Sequence, residues 1–107
     1  MDAQKKKISL IIPALNEEGC IGKVIKEIPE NILHEIIVVD GHSTDHTVTE
    51  AREALGQRGR VIIQTREGFG GALFDGVDAS TGDVIMVMDA DGSQNPNDIP
   101  RILSQFK

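Results

Sequence analysis

The feature that most limits how this chain can fold is a regular alternation of short apolar runs with segments of helical spacing. Ile8 to Ile12 (ISLII) reads as a strand ended by Pro13. Ile21, Val24, Ile25 and Ile28 then fall at i, i+3, i+4 and i+7, one face of a helix. Asn16 is placed to cap that helix, and Glu17 and Glu18 suit its positive first turn. Ile36 to Val39 is a second strand. Asp45 caps a helix that turns Val48, Ala51 and Leu55 inward, with Gly56 and Gly59 at its end. Val61 to Gln64 is a third, shorter strand. A glycine-rich turn (EGFGGA) leads into a helix with Leu73, Gly76 and Val77 on one side, ended by Gly82. Val84 to Met88 is a fourth strand, and Ile99, Ile102, Leu103 and Phe106 give a last helix with Pro96 near its start.

The order βαβαβαβα implies an α/β fold of Rossmann-like type, a three-layer sandwich with a mostly parallel sheet, right-handed crossovers and helices on both faces. Strands that are apolar throughout fit a sheet covered on both sides. With 107 residues the chain is expected to form a single domain, 1–107. The core must rest on Ile, Val and Leu, because the only aromatic residues are three Phe.

A net charge of −6 argues against a nucleic-acid binder. The basic run Lys5 to Lys7 reads as a solvated tail before the first strand. The single cysteine, Cys20, excludes an intrachain disulfide and fits a reducing compartment. No apolar stretch approaches the roughly 18 to 20 residues that span a bilayer, and no signal-type segment opens the chain. A cytoplasmic protein is expected, free to work peripherally at a membrane surface.

In open parallel sheets, ligands bind beyond the carboxyl ends of the strands. The polar and glycine-rich segments lie there: PALNEE (13–18), DGHSTDHT (40–47), REGFGG (66–71) and DADGSQNP (89–96). In extended backbone, residues i and i+2 point the same way, so Asp89 and Asp91 converge, with Ser93 next in that series. Paired carboxylates are hard oxygen ligands suited to Mg²⁺ or Mn²⁺. Two are too few for a full cage, which predicts a phosphate-bearing ligand bridged by the metal. The plainer alternative is that both acids cap a turn.

Gly68, Gly70 and Gly71 either cradle phosphate in a dinucleotide-type loop or serve a tight turn and close helix packing. The third glycine of the dinucleotide pattern is replaced by Leu73. His42 and His46 stand four apart, as in zinc helices, but the glutamate such a helix carries after its first His is Ser43 here. His34 is expected at the surface, and Cys20 on a helix, partly buried beside the apolar stripe.

Together the strings IIPALNEE, EIIVVDGHSTDHT and GFGGALFDGVDASTGDVIMVMDADGSQNP resemble the family 2 glycosyltransferases of the GT-A fold, in particular enzymes similar to dolichol-phosphate-mannose synthase. The resemblance covers residues 8 to 106. It implies a transferase that binds a nucleotide-diphosphate sugar through a divalent metal and passes the sugar, with inversion, to an acceptor such as a polyprenyl phosphate. It implies that Pro13, Leu15, Glu17 and Asp40 surround the nucleoside, and that Asp89 and Ala90 also contact the nucleotide. Asp89 and Asp91 match the D-x-D pair that holds the metal, with Ser93 as a further ligand and Asp91 as the residue most tied to catalysis. Two departures stand out. The usual D-D-G-S-x-D reads Asp40, Gly41, His42, Ser43, Thr44, Asp45, and the Lys often found between the turn glycines is Phe69. Family members are about twice as long as this chain. The resemblance is therefore to their N-terminal nucleotide-binding part, expected to bind donor but to turn over poorly alone.

Two rival readings come from other classes. A haloacid-dehalogenase-type phosphohydrolase would use Asp89 as nucleophile and Asp91 as general acid. Its motif normally opens a domain, and here only 14 residues follow Ser93. A non-catalytic nucleotide-binding module would share the donor site, and an uncovered sheet edge or helix face would then favour a homo-oligomer.

Overall fold

The computed structural model describes residues 6–105. Lys5 and Phe106, named above, lie outside the described residues. Four strands, β1 (Ile8–Ala14), β2 (Glu35–Asp40), β3 (Gly59–Ile63) and β4 (Val84–Val87), form one sheet in the order β3-β2-β1-β4. Every pairing is parallel. Helices α1 (Ile21–Glu27), α2 (Thr47–Leu55), α3 (Gly68–Ala79) and α4 (Ile99–Leu103) connect or follow the strands, and a short 3₁₀ turn, Pro96–Asp98, precedes α4. The expected α/β sandwich is therefore present.

Alternation along the strands divides the core between the two faces of the sheet. Leu10, Ile12, Ile36 and Val38 pack against Ile21, Val24 and Ile25 of α1, Ala51 and Leu55 of α2, and Ile99 of α4. Ile11, Ile37 and Val39 point the other way, onto Ala72 of α3. On that face α3 lies close to β1: a Cβ at Gly76 would sit 2.6 Å from Ile11 Cγ2, so only glycine permits this approach. β4 is the exception to the expectation of full cover. Its Ile85 and Val87, on the α3 side, are exposed, as are Phe74 and Val77 of α3. Val77 is thus not on the inward side of its helix. α3 also ends at Ala79, before Gly82. The Gly82 N–H donates to Ser9 Oγ at 2.9 Å, and close approach to β1 is what calls for a glycine there.

Pro13 does not end the first strand; it pairs with Val39 and β1 runs on to Ala14. The backbone pattern explains this. Ile11 O accepts from Met88 N on the β4 side, and Ala14 O accepts from Gly41 N on the β2 side. Odd-numbered residues of β1 therefore address β4. At Pro13 a donor would point to where β4 has already ended, so its missing N–H costs nothing. The reversal of strand order about β1 leaves a crevice between the carboxyl ends of β1 and β4.

The opposite, amino edge of the sheet is locked by a buried carboxylate. Glu35 accepts from Ser9 Oγ (2.7 Å), from Thr81 N (2.6 Å) and from Arg60 Nη1 (3.1 Å). These contacts join β1, β2, β3 and the segment entering β4. Burial alone would raise the Glu35 pKa, but the hydrogen bonds from Ser9, Thr81 and Arg60 outweigh it and lower the value from 4.5 to about 2. A folded-state pKa below the unfolded one stabilises the fold above pH 4.5, and that contribution is lost as the pH falls towards 2. Glu35→Gln is expected to cost on the order of 2 kcal/mol at pH 7. Urea denaturation at pH 7 and at pH 2.5 should show the gap between variant and wild type closing on acidification.

Candidate functional site

All four strands deliver their carboxyl ends to one edge, so the four polar segments meet there as expected. The segments after β1 and β2 are stitched together by hydrogen bonds in both directions. Asn16 N donates to Ser43 Oγ (2.8 Å) and Thr44 N donates to Asn16 Oδ1 (2.8 Å). Glu17 N donates to Thr47 Oγ1 (2.8 Å), Glu18 N to Asp45 Oδ2 (3.2 Å), and His46 N back to Glu18 Oε1 (3.2 Å). Asn16 adopts a left-handed backbone, φ 52°, which Asn tolerates better than most residues.

This network corrects the capping expected at α1. Asn16 spends its side chain on Thr44 and does not cap the helix, which starts only at Ile21. Neither Glu17 nor Glu18 is in its first turn. The helix end is instead served from α2: Glu50 accepts from Gly19 N (2.8 Å) and Gly22 N (2.7 Å). Gly22 permits that contact, since a Cβ there would stand 2.9 Å from Glu50 Cγ. Cys20 is exposed just ahead of α1, not partly buried on it. Asp45 is not the cap of α2 either: His46 holds the N-cap position without a side-chain capping bond, and Asp45, one residue earlier, accepts from Thr47 N (2.9 Å) and from its hydroxyl. The Thr47 hydroxyl, foremost, holds the Asp45 carboxyl below its usual range.

Asp40 is buried at the tip of β2. Its carboxylate accepts from His42 N (3.0 Å), Ser43 N (2.9 Å) and Ser43 Oγ (2.6 Å). Its role in the structure is to build the loop. His42, with φ 70°, stands where the family pattern has glycine, and its Nε2 lies 2.8 Å from Gln64 O. His46 lies against Glu18. Among the described residues no group of three or more His, Cys, Asp or Glu is arranged to hold a metal, so the zinc reading has no support. His34 is exposed, as expected, with Nε2 2.9 Å from Thr81 Oγ1.

At the tip of β4 the alternation continues beyond the strand. Met88 and Ala90 are buried in the core below, while Asp89 and Asp91 are exposed. Ala90 therefore offers the rim only its backbone. Asp89 N donates to Gln94 Oε1 (2.8 Å) and Ser93 N to Asp91 Oδ1 (2.9 Å), which folds the segment into a tight turn. The Ser93 hydroxyl and then its N–H hold the Asp91 carboxyl below its usual range. Glu17 is pushed the other way, first by burial and then by the negative charges of Asp91 and Asp45. Glu17 thus belongs to the same acidic rim as Asp91. Among the described residues Asp89 and Asp91 have no ion-pair partner, and their exposed carboxylate oxygens are the hard donor type that suits a divalent cation.

On the other side of β1 the rim opens into a cleft of about 380 Å³, lined by Pro13, Leu15, Gly41, Gln64, Gly68 and Phe69 among others. Gln64 and Phe69 were not singled out as site residues from the sequence. The glycine turn is itself the first turn of α3. Gly68 has φ 78°, and a Cβ at Gly71 would meet the Arg66 carbonyl group at 2.6 Å. Gly71 serves close turn packing and Gly68 a left-handed backbone, while a Cβ at Gly70 would meet nothing within 4 Å. Asp75 of α3 secures the turn by accepting from Thr65 N (2.6 Å), Arg66 N (3.1 Å) and Arg66 Nη1 (2.8 Å).

A parallel sheet with a carboxylate pair at its switch-point crevice and an open cleft beside it defines a Rossmann-like protein of the GT-A class. Residues 9–107 match the family described as Glycosyl transferase family 2, and the chain belongs to that family. It is 36% identical over 99 residues to an uncharacterised glycosyltransferase of Mycobacterium bovis, covering 92% of this chain and 43% of that protein. It is 35% identical to a dolichol-phosphate mannosyltransferase of Pyrococcus furiosus, covering 94% of this chain and 30% of that one. Among solved structures, glucosyl-3-phosphoglycerate synthase of Mycobacterium tuberculosis superposes with a TM-score of 0.80 at 30% identity, over 94% of this chain and 39% of that one. That structure contains Mn²⁺, uridine diphosphate and glucosyl-3-phosphoglycerate. The chain therefore spans less than half the length of these relatives. The family assignment sets aside the phosphohydrolase alternative.

The stitch between the first two loops depends on Thr47, which is fully buried. Thr47→Val removes the acceptor for Glu17 N and is expected to destabilise the fold by about 1–3 kcal/mol. Thr47→Ser, which keeps the hydroxyl, should recover most of that in equilibrium urea denaturation.

Proposed function

We propose that this chain is the donor-binding part of a glycosyltransferase that takes a nucleotide-diphosphate sugar through a divalent metal. The observation that carries this reading is the exposed pair Asp89 and Asp91 at the tip of β4, beside the crevice where the strand order reverses. Asp89 and Asp91 would hold Mg²⁺ or Mn²⁺, with the Ser93 hydroxyl as a third oxygen. When bound, that cation neutralises charge developing on the departing diphosphate. Pro13, Leu15 and Glu17 would flank the nucleoside. Asp40 would act there through the loop it builds, and Ala90 through its backbone.

The sugar would be transferred with inversion. Relatives named for dolichol phosphate and for 3-phosphoglycerate share a phosphate-bearing acceptor, which supports the same class here, a polyprenyl phosphate included. A lipid-linked acceptor would be met at the membrane surface on the cytoplasmic side; no helix among the described residues is long and apolar enough to cross a membrane. Residues 1–107 would act as one nucleotide-sugar-binding domain. The exposed Phe74, Val77, Ile85 and Val87 are the surface a homo-oligomer would use.

Calorimetric titration with a panel of nucleoside diphosphates and their sugars, with and without Mn²⁺, tests this reading. Metal-dependent binding is expected, weakened roughly a hundredfold by Asp91→Ala. Metal-independent binding, or binding indifferent to Asp91→Ala, would contradict it. Sugar transfer by this chain alone should be weak.

A further inference from the structure

The cleft beside Phe69 carries the argument one step beyond donor binding as such. Its named lining residues include no charged side chain. Phe69 sits at its lip with 62% of its surface exposed, on the first turn of α3. Gly41 keeps the opposite wall low: a Cβ there would stand 3.1 Å from Gln64 Oε1 and 3.8 Å from Leu15 Cβ. Both departures from the family pattern, Gly41 and Phe69, therefore fall on this one cleft, and both replace a charged residue with an uncharged one.

One polar side chain remains, and its orientation is fixed. The Gln64 amide nitrogen donates to Arg66 O and to Gly68 O (2.7 Å), so both of its hydrogens are used. What Gln64 presents towards Gly41 is its carbonyl oxygen, an acceptor. A flat apolar surface beside a single acceptor suits a heterocycle that stacks on one side and offers an N–H at its edge. The position suits the far end of a nucleotide whose diphosphate lies at Asp89 and Asp91. β4 and β2 are separated by two strand spacings, roughly 10 Å.

Resting on the donor-binding reading above, we propose that Phe69 and Gln64 are this chain's base-reading pair. The Phe69 ring stacks on the nucleobase, and Gln64 Oε1 accepts from the imino N–H of uracil or guanine. Adenine and cytosine carry a ring lone pair at that position, which would face the Gln64 carbonyl in repulsion.

The test is titration of the 107-residue chain with UDP, GDP, CDP and ADP in the presence of Mg²⁺, alongside inorganic pyrophosphate. Wild type is expected to prefer UDP or GDP over CDP and ADP by about tenfold. The N-methylated imino analogue of the preferred nucleotide should bind no better than CDP or ADP. Phe69→Ala should weaken the preferred nucleotide by about tenfold and leave pyrophosphate unchanged. Phe69→Trp keeps a stacking surface and introduces the sole tryptophan of the chain. Its emission should fall with the nucleotide but not with pyrophosphate. Unchanged nucleotide affinity in Phe69→Ala, full binding of the methylated analogue, or a preference for ADP or CDP would overturn the pair. Metal-dependent binding sensitive to Asp91→Ala would then leave the donor-binding reading standing. Absence of any nucleotide binding would overturn both.

Discussion

The hydrogen bonds that tie the loop after β1 to the loop after β2 are the constraint on which the rim depends. Backbone N–H groups of Asn16, Glu17 and Glu18 are received by side chains of Ser43, Thr47 and Asp45, and the second loop returns two donors of its own. Without Thr47 the part-buried Glu17 N–H would lose its acceptor, while the exposed donors of Asn16 and Glu18 would turn to water. With these partners, the two loops are tied to each other by hydrogen bonds in both directions. Asp40 fixes the second loop from beneath, and Glu50 fixes the start of α1. The side chain of Glu17 is left to face Asp91, where the neighbouring negative charge raises its pKa after burial has done so.

The sheet decides what this body faces. Strand β4 stops opposite Ile11 while β1 runs three residues further, to Ala14. Pro13 tolerates that overhang because its missing donor would have addressed β4. The crevice is therefore a consequence of unequal strand lengths as well as of strand order. Met88 and Ala90 are held in the core, which leaves Asp89 between them exposed, and the turn that follows exposes Asp91 on the α1 side, beside Gly19, Cys20 and Lys23. The apolar anchor and Asp89 are two halves of one alternating pattern.

Much of this was legible in the sequence. Four apolar runs of strand length, separated by helical spacing, give the order of elements, and polar residues clustered at the strand ends locate the rim. The D-x-D pair is visible because period two is a local property. What stayed hidden depends on partners distant in sequence. Asn16 looks like a helix cap until Thr44, 28 residues away, claims its side chain. Glu50 reads as an ordinary surface residue of α2, though it serves the end of another helix. Val77 and the outer side of β4 looked buried because the apolar pattern does not say how wide the covering layer is. Gln64 gave no signal at all, since only the folded turn commits its amide hydrogens and leaves its oxygen free.

The most direct measurement is an NMR titration of the isotope-labelled chain with a nucleoside diphosphate and trace Mn²⁺. Paramagnetic broadening centred on the amides of Asp89 to Ser93, with shifts spreading to the loops after β1 and β2, is the predicted result. Broadening centred on His42 and His46, or the absence of nucleotide-dependent broadening at Asp89 to Ser93, would contradict a metal-bridged donor site at the tip of β4.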